Sequence, residues 1–243
     1  MHCVILAAGT ATRLRPLTNS TPKCLLPIGR VPMLERTLEA VSASGVKEFT
    51  LVLGFEAQQI RDFIASRFPK LSVRYVHNDD YLSTNNAFSL LLARASVGRD
   101  SLLLLDSDIL FDQSIISLLL HSPHETCLAV RTSGEIGDEE IKVKINHNKE
   151  IVEIGKHVLL SSTFGESIGI EKFSQESTQI LFQTLQKRVI TENRVNEFYE
   201  ASFQEMIDAG ALIFAEDVGI RRCMEIDTPE DLRAAELVFN GTV

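Results

Sequence analysis

The stretch Val4-Ile-Leu-Ala-Ala-Gly-Thr-Ala-Thr-Arg13 decides the fold. Val4 to Leu6 carries no polar residue and reads as a buried strand. It runs straight into a loop of small residues around Gly9. Such a loop can turn its backbone N–H groups toward an anion at the carboxyl end of the strand. The side chains that follow point the same way: Arg13, Arg15, Lys23 and Arg30 are the only charged residues before Glu35, in a chain whose net charge is −9. A cationic island on an acidic protein implies a local anionic ligand. The overall charge argues against nonspecific binding to nucleic acid or to an anionic membrane surface. The loop has neither the GxxxxGK[ST] nor the GxGxxG spacing, so it is neither a P-loop nor a dinucleotide loop.

Outward from this stretch, helices and short apolar strands alternate. Leu34, Leu38 and Val41 share a helical face that Gly45 is placed to end; Phe49 to Leu53 is the next strand. Ile60, Phe63, Ile64 and Phe68 mark a helix, Val73 to Val76 a strand, Phe88 to Ala95 a helix and Ser101 to Leu105 a strand. Near-continuous apolar strands separated by helices predict an α/β fold, with a mostly parallel central sheet covered by helices on both faces. Further on, Thr126 to Val130, Lys142 to Ile145 and Ile151 to Ile154 read as strands, with a turn at residues 147–149. Tyr199, Phe203, Met206 and Ile207 give a helix face, and Thr228-Pro-Glu-Asp231 is a helix start with Thr as cap and an acid three residues on. A length of 243 residues, 44% hydrophobic, is expected to fold as one unit over 1–243. The irregular segment from about 131 to 215 is where an acceptor lid or a homodimer contact is expected.

Runs such as Leu102 to Leu105 are too short to span a bilayer, and the apolar residues from Cys3 to Ala8 follow no basic region and are too few for a signal peptide. Cys3, Cys24, Cys127 and Cys223 form no CxxC pair and read as small buried hydrophobes in a reducing cytoplasm. The expectation is a cytoplasmic protein.

Asp106 and Asp108 follow four leucines at the carboxyl end of a predicted strand, where positions two apart face one side. Carboxylates there suit Mg²⁺, the usual screen in phosphoryl transfer, although an Asp at a strand end also caps helices and forms turns. Asn78, Asn85 and Asn86 offer donors and acceptors for a pyrimidine edge, and Asn85 equally suits the start of a helix. Glu166 and Glu200 are candidates for a cationic or hydroxylated acceptor, while Tyr199 shares the spacing of Phe203 and reads as core. Glu225, two before Asp227, either faces substrate or makes a surface ion pair. No histidine pair has HxH or HExxH spacing, and the absence of Trp excludes a Trp-lined cage for a quaternary ammonium.

Leu6-Ala-Ala-Gly9, Arg13-Leu-Arg-Pro-Leu-Thr18, Pro22-Lys23 and Leu26-Pro-Ile-Gly-Arg-Val-Pro-Met-Leu34 resemble the signature of the sugar-nucleotidyltransferase superfamily, LAAGxGxRLxPLTxxxPK. Asn78-Asp-Asp-Tyr81, Asn85-Asn-Ala-Phe-Ser-Leu90, Leu105-Asp-Ser-Asp108, Glu140-Ile-Lys-Val143, Ile154-Gly-Lys156, Phe164-Gly-Glu-Ser-Ile-Gly-Ile170 and Glu225-Ile-Asp227 resemble its branch of phosphocholine and phosphonate cytidylyltransferases. The resemblance covers nearly the whole chain. It implies a Rossmann-like nucleotide-diphospho-sugar transferase fold, in which Leu6, Ala7, Ala8, Gly9, Thr10 and Ala11, with Asn78, Asn85 and Asn86, bind the nucleotide. Arg13 and Lys23 would be the catalytic cations on the triphosphate. Asp108 and Asp227 would hold Mg²⁺, with Asp106 a further metal residue. Lys142 and Lys156, which otherwise read as solvated, would point to phosphates, and Glu166, Glu200 and Glu225 would meet the acceptor.

The implied activity moves CMP from CTP to a small phosphorylated or phosphonate alcohol or amine and releases pyrophosphate. Thr84-Asn-Asn-Ala87 lacks the glycine of sugar-specific relatives, which favours the non-sugar branch. The rivals are a sugar-1-phosphate nucleotidyltransferase and a catalytically weak nucleotide-binding module. Ala11 supports the latter, since it stands where the signature has a second glycine: a positive φ there would cost alanine about 1 kcal/mol, and its methyl would crowd a triphosphate.

Overall fold

The computed structural model describes residues 1–239; residues 240–243, which the expected unit 1–243 includes, lie outside the described residues. Seven strands of a nine-stranded sheet run in the order Ile151–Gly155, Lys142–Ile145, Gly165–Phe173, Leu102–Asp106, His2–Ala7, Glu48–Leu53 and Val73–His77. His2–Ala7 pairs in parallel with both Glu48–Leu53 and Leu102–Asp106, and Glu48–Leu53 pairs in parallel with Val73–His77. This is the parallel sheet that the alternation of strands and helices implied.

Side-chain alternation distributes these strands between two cores. Val4, Leu6, Val52, Leu102 and Leu104 pack on one face with Leu90 of the helix Asn86–Leu92, Leu181 and Phe182 of Gln175–Leu185, and Phe203 of Glu200–Asp208. Cys3, Ile5, Leu51, Leu53, Leu103 and Leu105 pack on the other with Leu34, Leu38 and Val41 of Met33–Ala43, Ile60 and Ile64 of Ala57–Arg67, and Leu119 of Ser114–His121. A strand buried on both faces needs apolar residues at both parities, which is why these segments read as continuous apolar runs.

The Gly165–Phe173 strand, legible in the sequence only as a family motif, adds an antiparallel side. It pairs antiparallel with Leu102–Asp106, Cys127–Arg131 and Lys142–Ile145, and is buried along its whole length. The helix expected over Phe88 to Ala95 starts earlier, because the Asn85 side chain accepts from Asn86 N; it ends at Leu92 before a separate turn at Arg94–Val97. The helix Pro229–Phe239 starts as expected: Asp231 N donates to Thr228 Oγ1, and the Asp231 carboxylate accepts from Thr228 N.

From His2–Ala7 the chain proceeds to one side of the sheet, through Glu48–Leu53 and Val73–His77, and then crosses to the other side for Leu102–Asp106. That reversal opens a crevice beyond the carboxyl ends of the two central strands, where open α/β sheets bind ligands. Leu6 and Asp106 are register partners at its base.

Candidate active site

A cleft of about 770 Å³ occupies this crevice, room enough for a nucleotide and a small second substrate. Its first wall is the loop Leu6, Ala7, Ala8, Gly9 and Ala11, followed by Arg13 and Lys23. The loop is held close to its neighbour because residue 54 is glycine: a Cβ there would lie 2.6 Å from the Ala8 carbonyl oxygen, which accepts from Phe55 N. Ala11 adopts φ 48, ψ 54, so the left-handed conformation anticipated from the glycine it replaces is present, with its strain of about 1 kcal/mol. Its carbonyl accepts from Thr18 Oγ1 at 2.7 Å, and Ala11 packs against the small core cluster that contains Leu14, Leu26 and Ile28, which offsets part of that cost.

Charges from three distant segments meet opposite the loop. Lys23 Nζ donates to Asp108 Oδ2 at 2.9 Å and to Asp227 Oδ1 at 2.5 Å, and Arg13 pairs with the other oxygen of Asp227. The two aspartates are brought together by a two-stranded sheet: Cys223–Glu225 pairs antiparallel with Ile109–Phe111, and Ile226 N donates to the Asp108 carbonyl. Burial alone would lower the pKa of the Lys23 ammonium, but Asp108 and Asp227 outweigh it and raise that pKa. Burial would likewise raise the Asp227 pKa, yet Lys23 and then Arg13 hold it low.

Glu225 joins this pair. One oxygen each from Asp108, Glu225 and Asp227 lie within 4.8 Å of one another. Burial first, and then the charges of Asp108 and Asp227, push the Glu225 carboxyl up to about 8, a crowding that Lys23 only partly relieves. Three hard oxygen donors crowded in this way fit a hard divalent cation.

Asp106 points elsewhere. The strand ends at Asp106 and residues 107–108 form a turn, so the two-residue alternation that would align Asp106 with Asp108 does not continue. The Asp106 carboxylate instead accepts from the Tyr199 hydroxyl at 2.8 Å and packs on Gly169, where an added Cβ would lie 2.8 Å from Asp106 Oδ2. Among the described residues, the carboxylate cluster that could hold a metal therefore has Glu225, and not the expected Asp106, as its third member.

A second set of acids shares the cleft. Glu166, Glu200, Glu139 and Glu140 line it, with Lys156, Arg131 and Phe198. Glu200 is 7% exposed; burial pushes its carboxyl up to about 7, and its Oε2 has no partner among the described residues. Asp106 and Glu171 are also raised, by burial first and then by a neighbouring carboxylate, Asp108 for Asp106 and Asp106 for Glu171. Tyr199 is fully buried among core aromatics, as its spacing with Phe203 implied, and it bridges these acids through its hydroxyl.

The asparagines line the cleft but hold structural bonds as well. Asn78 donates to Thr84 and Ser89 hydroxyls and accepts from Asp80 N; Asn85 caps its helix; Asn86 Oδ1 accepts from Tyr199 N. Two expected site residues are not on the wall. Thr10 does not line the cleft. Lys142 is 2% exposed, with its ammonium held by the Gly137, Asp138 and Glu140 carbonyls. Arg131, Glu139 and Phe198 were not singled out from the sequence. Arg131 pairs with Glu166 at 2.5 Å and Glu139 with Lys156 at 2.8 Å, contacts between segments with no local pattern to announce them.

Among known proteins, a choline-phosphate cytidylyltransferase from Streptococcus pneumoniae is 36% identical over 94 residues, 39% of this chain and 39% of that protein. A 2-aminoethylphosphonate cytidylyltransferase from Lancefieldella rimae is 30% identical over 156 residues, 64% of this chain and 61% of that protein. The chain spans less than two thirds of the length of these curated relatives. A solved structure of CTP:phosphocholine cytidylyltransferase from Streptococcus pneumoniae matches with TM-score 0.80 over 98% of each chain at 21% identity, which shows a shared fold. Residues 3–176 match the MobA-like NTP transferase domain, and the chain belongs to that family.

Proposed function

We propose that this chain is a single-unit, Mg²⁺-dependent cytidylyltransferase that moves CMP from CTP to a small phosphorylated or phosphonate alcohol or amine. The observation that carries the proposal is the Lys23 ammonium between Asp108 and Asp227, in a cleft that the Gly9 loop and a further set of glutamates also line. A phosphate or phosphonate oxygen of the acceptor attacks the α-phosphorus in line; the bond to the bridging oxygen breaks and pyrophosphate leaves. Arg13 and Lys23 neutralise the triphosphate and the leaving group. Asp108, Asp227 and Glu225 would hold Mg²⁺, which supplies charge neutralisation at the α-phosphate. Glu200, buried with an unpartnered oxygen beside Phe198, suits an ammonium or hydroxyl on the acceptor. The buried free thiols of Cys3, Cys24 and Cys127 support a cytoplasmic setting.

A second reading, a catalytically weak nucleotide-binding module, draws on the strained Ala11 in the phosphate loop. One screen separates the readings: pyrophosphate release with CTP, UTP, GTP and dTTP, each against phosphocholine, 2-aminoethylphosphonate and sugar 1-phosphates, with Mg²⁺ present. The expected result is release with CTP and a non-sugar acceptor. Release only with a sugar 1-phosphate would reassign the enzyme, and CTP binding with no release across the panel would leave the weak module standing.

A further inference from the structure

Residues 132–141 form a flap without helix or strand, and Glu139, Glu140 and Ile141 of this flap wall the cleft on the side of Lys156 and Glu166. The flap is tied down at several points. At its base, Arg131 donates to the Ser133 carbonyl at 3.0 Å and Thr132 Oγ1 to Asp217 at 2.9 Å. Near its tip, Glu139 pairs with Lys156, whose ammonium also lies 5.2 Å from the centre of the Phe198 ring. Underneath lies Lys142, the first residue of its strand. Its ammonium donates to the carbonyls of Gly137 at 3.3 Å, Asp138 at 3.0 Å and Glu140 at 3.3 Å.

An ammonium has three donors and no acceptor, so these bonds use all of them. Reaching a substrate phosphate would require Lys142 to abandon three carbonyls and leave a buried site. Those carbonyls would then lose the ammonium that joins them, and carbonyls turned inward repel one another without a shared donor. We propose that Lys142 is a positioning residue: it seats the flap so that Glu139, Glu140 and Ile141 shape the acceptor end of the cleft, and it does not touch the nucleotide. Its kinetic consequence rests on the transferase reading above; its structural consequence does not.

The test compares Lys142→Met and Lys142→Arg with the parent chain in two assays. A Glu-specific protease must draw several flap residues into an extended strand. Although the Glu135 and Glu139 side chains are exposed, cleavage after Glu135, Glu139 and Glu140 therefore reports how readily the flap backbone leaves its seat, and it needs no substrate. K142M is expected to speed cleavage at these bonds by about tenfold or more, the factor attached to losing one charge-assisted hydrogen bond. Cleavage elsewhere in the folded chain should stay as in the parent. K142R keeps the charge but replaces three convergent donors with a planar fork, and should fall between the two; it also serves if K142M does not fold.

In steady-state kinetics with phosphocholine or 2-aminoethylphosphonate, the acceptor KM should rise about tenfold while the KM for CTP stays within about twofold. Unchanged cleavage in both variants, or a loss of CTP affinity matching the loss for the acceptor, would overturn the proposal. If the parent chain transfers CMP to neither acceptor, the transferase reading fails while the cleavage rates still decide the role of Lys142.

Discussion

Replacing Lys23 with methionine keeps the apolar stem and removes the one ammonium that separates Asp108 from Asp227. The Lys23 side chain is 10% exposed and its partners 26% and 23%, so the pairs are partly but not fully desolvated. Breaking a fully buried pair costs about 3–5 kcal/mol. Scaled for the access of water to the two aspartates, the expected loss in chelator at pH 8 is about 2 kcal/mol, or roughly 4–8 °C in Tm for a chain of this size. Mg²⁺ should recover more of this loss in the variant than it adds to the parent, because no ammonium competes for the carboxylates. Turnover should fall by about 10²-fold or more, the scale of removing one preorganised electrostatic stabiliser. Thermal melts with chelator and with Mg²⁺, and initial rates with the acceptor the screen identifies, measure the three quantities. An unchanged Tm in chelator, or turnover within a few-fold of the parent, would refute the role assigned to Lys23.

Three further outcomes are expected. Asp108→Ala should lose about 10²-fold or more in turnover together with the Mg²⁺-induced rise in Tm, and retention of both would remove Asp108 from the metal cluster. Gly169→Ala places a methyl 2.6 Å from Ile109 Cδ1 and 2.8 Å from Asp106 Oδ2 at φ +70, and should cost about 2 kcal/mol by urea unfolding; an unaltered midpoint would show that the neighbours move freely. Burial raises Glu200 to about 7 from an ordinary 4.5, so between those values the folded chain binds more protons than the unfolded one and stability falls as pH rises. Glu200→Gln should therefore gain about 3 kcal/mol relative to the parent between pH 4 and pH 8, and a difference that stays flat with pH would contradict the buried, unpaired carboxylate.

The phosphate end of the cleft was largely legible because its residues are neighbours in sequence. Gly9, Arg13 and Lys23 fall within fifteen residues, and a strand followed by small residues and cations has a local physical meaning. The parallel half of the sheet was legible for a similar reason: strands buried on both faces must be apolar at every position, and the helices between them carry a 3.6-residue stripe. The same locality failed at Asp106. Period-two alternation assumed a strand that continues, and the turn at residues 107–108 sends Asp108 toward Lys23 and leaves Asp106 with Tyr199.

The acidic wall required the tertiary structure. Its members come from the flap at 132–141, the Gly165–Phe173 strand and the Glu200–Asp208 helix. No spacing rule connects residues that meet only because antiparallel strands fold across one another. Lys142 shows the same limit: a lysine opening a strand reads as solvated or phosphate-facing, and only the placement of three carbonyls around its ammonium gives it a different task. The sequence by itself determined the parallel half of the sheet and the cationic loop after its first strand, because burial and local charge are written in neighbouring residues; Asp227 was legible only through the family resemblance. The tertiary structure decided the third carboxylate at Glu225, the separation of Asp106 and the acidic wall, because each depends on contacts whose partners are far apart along the chain.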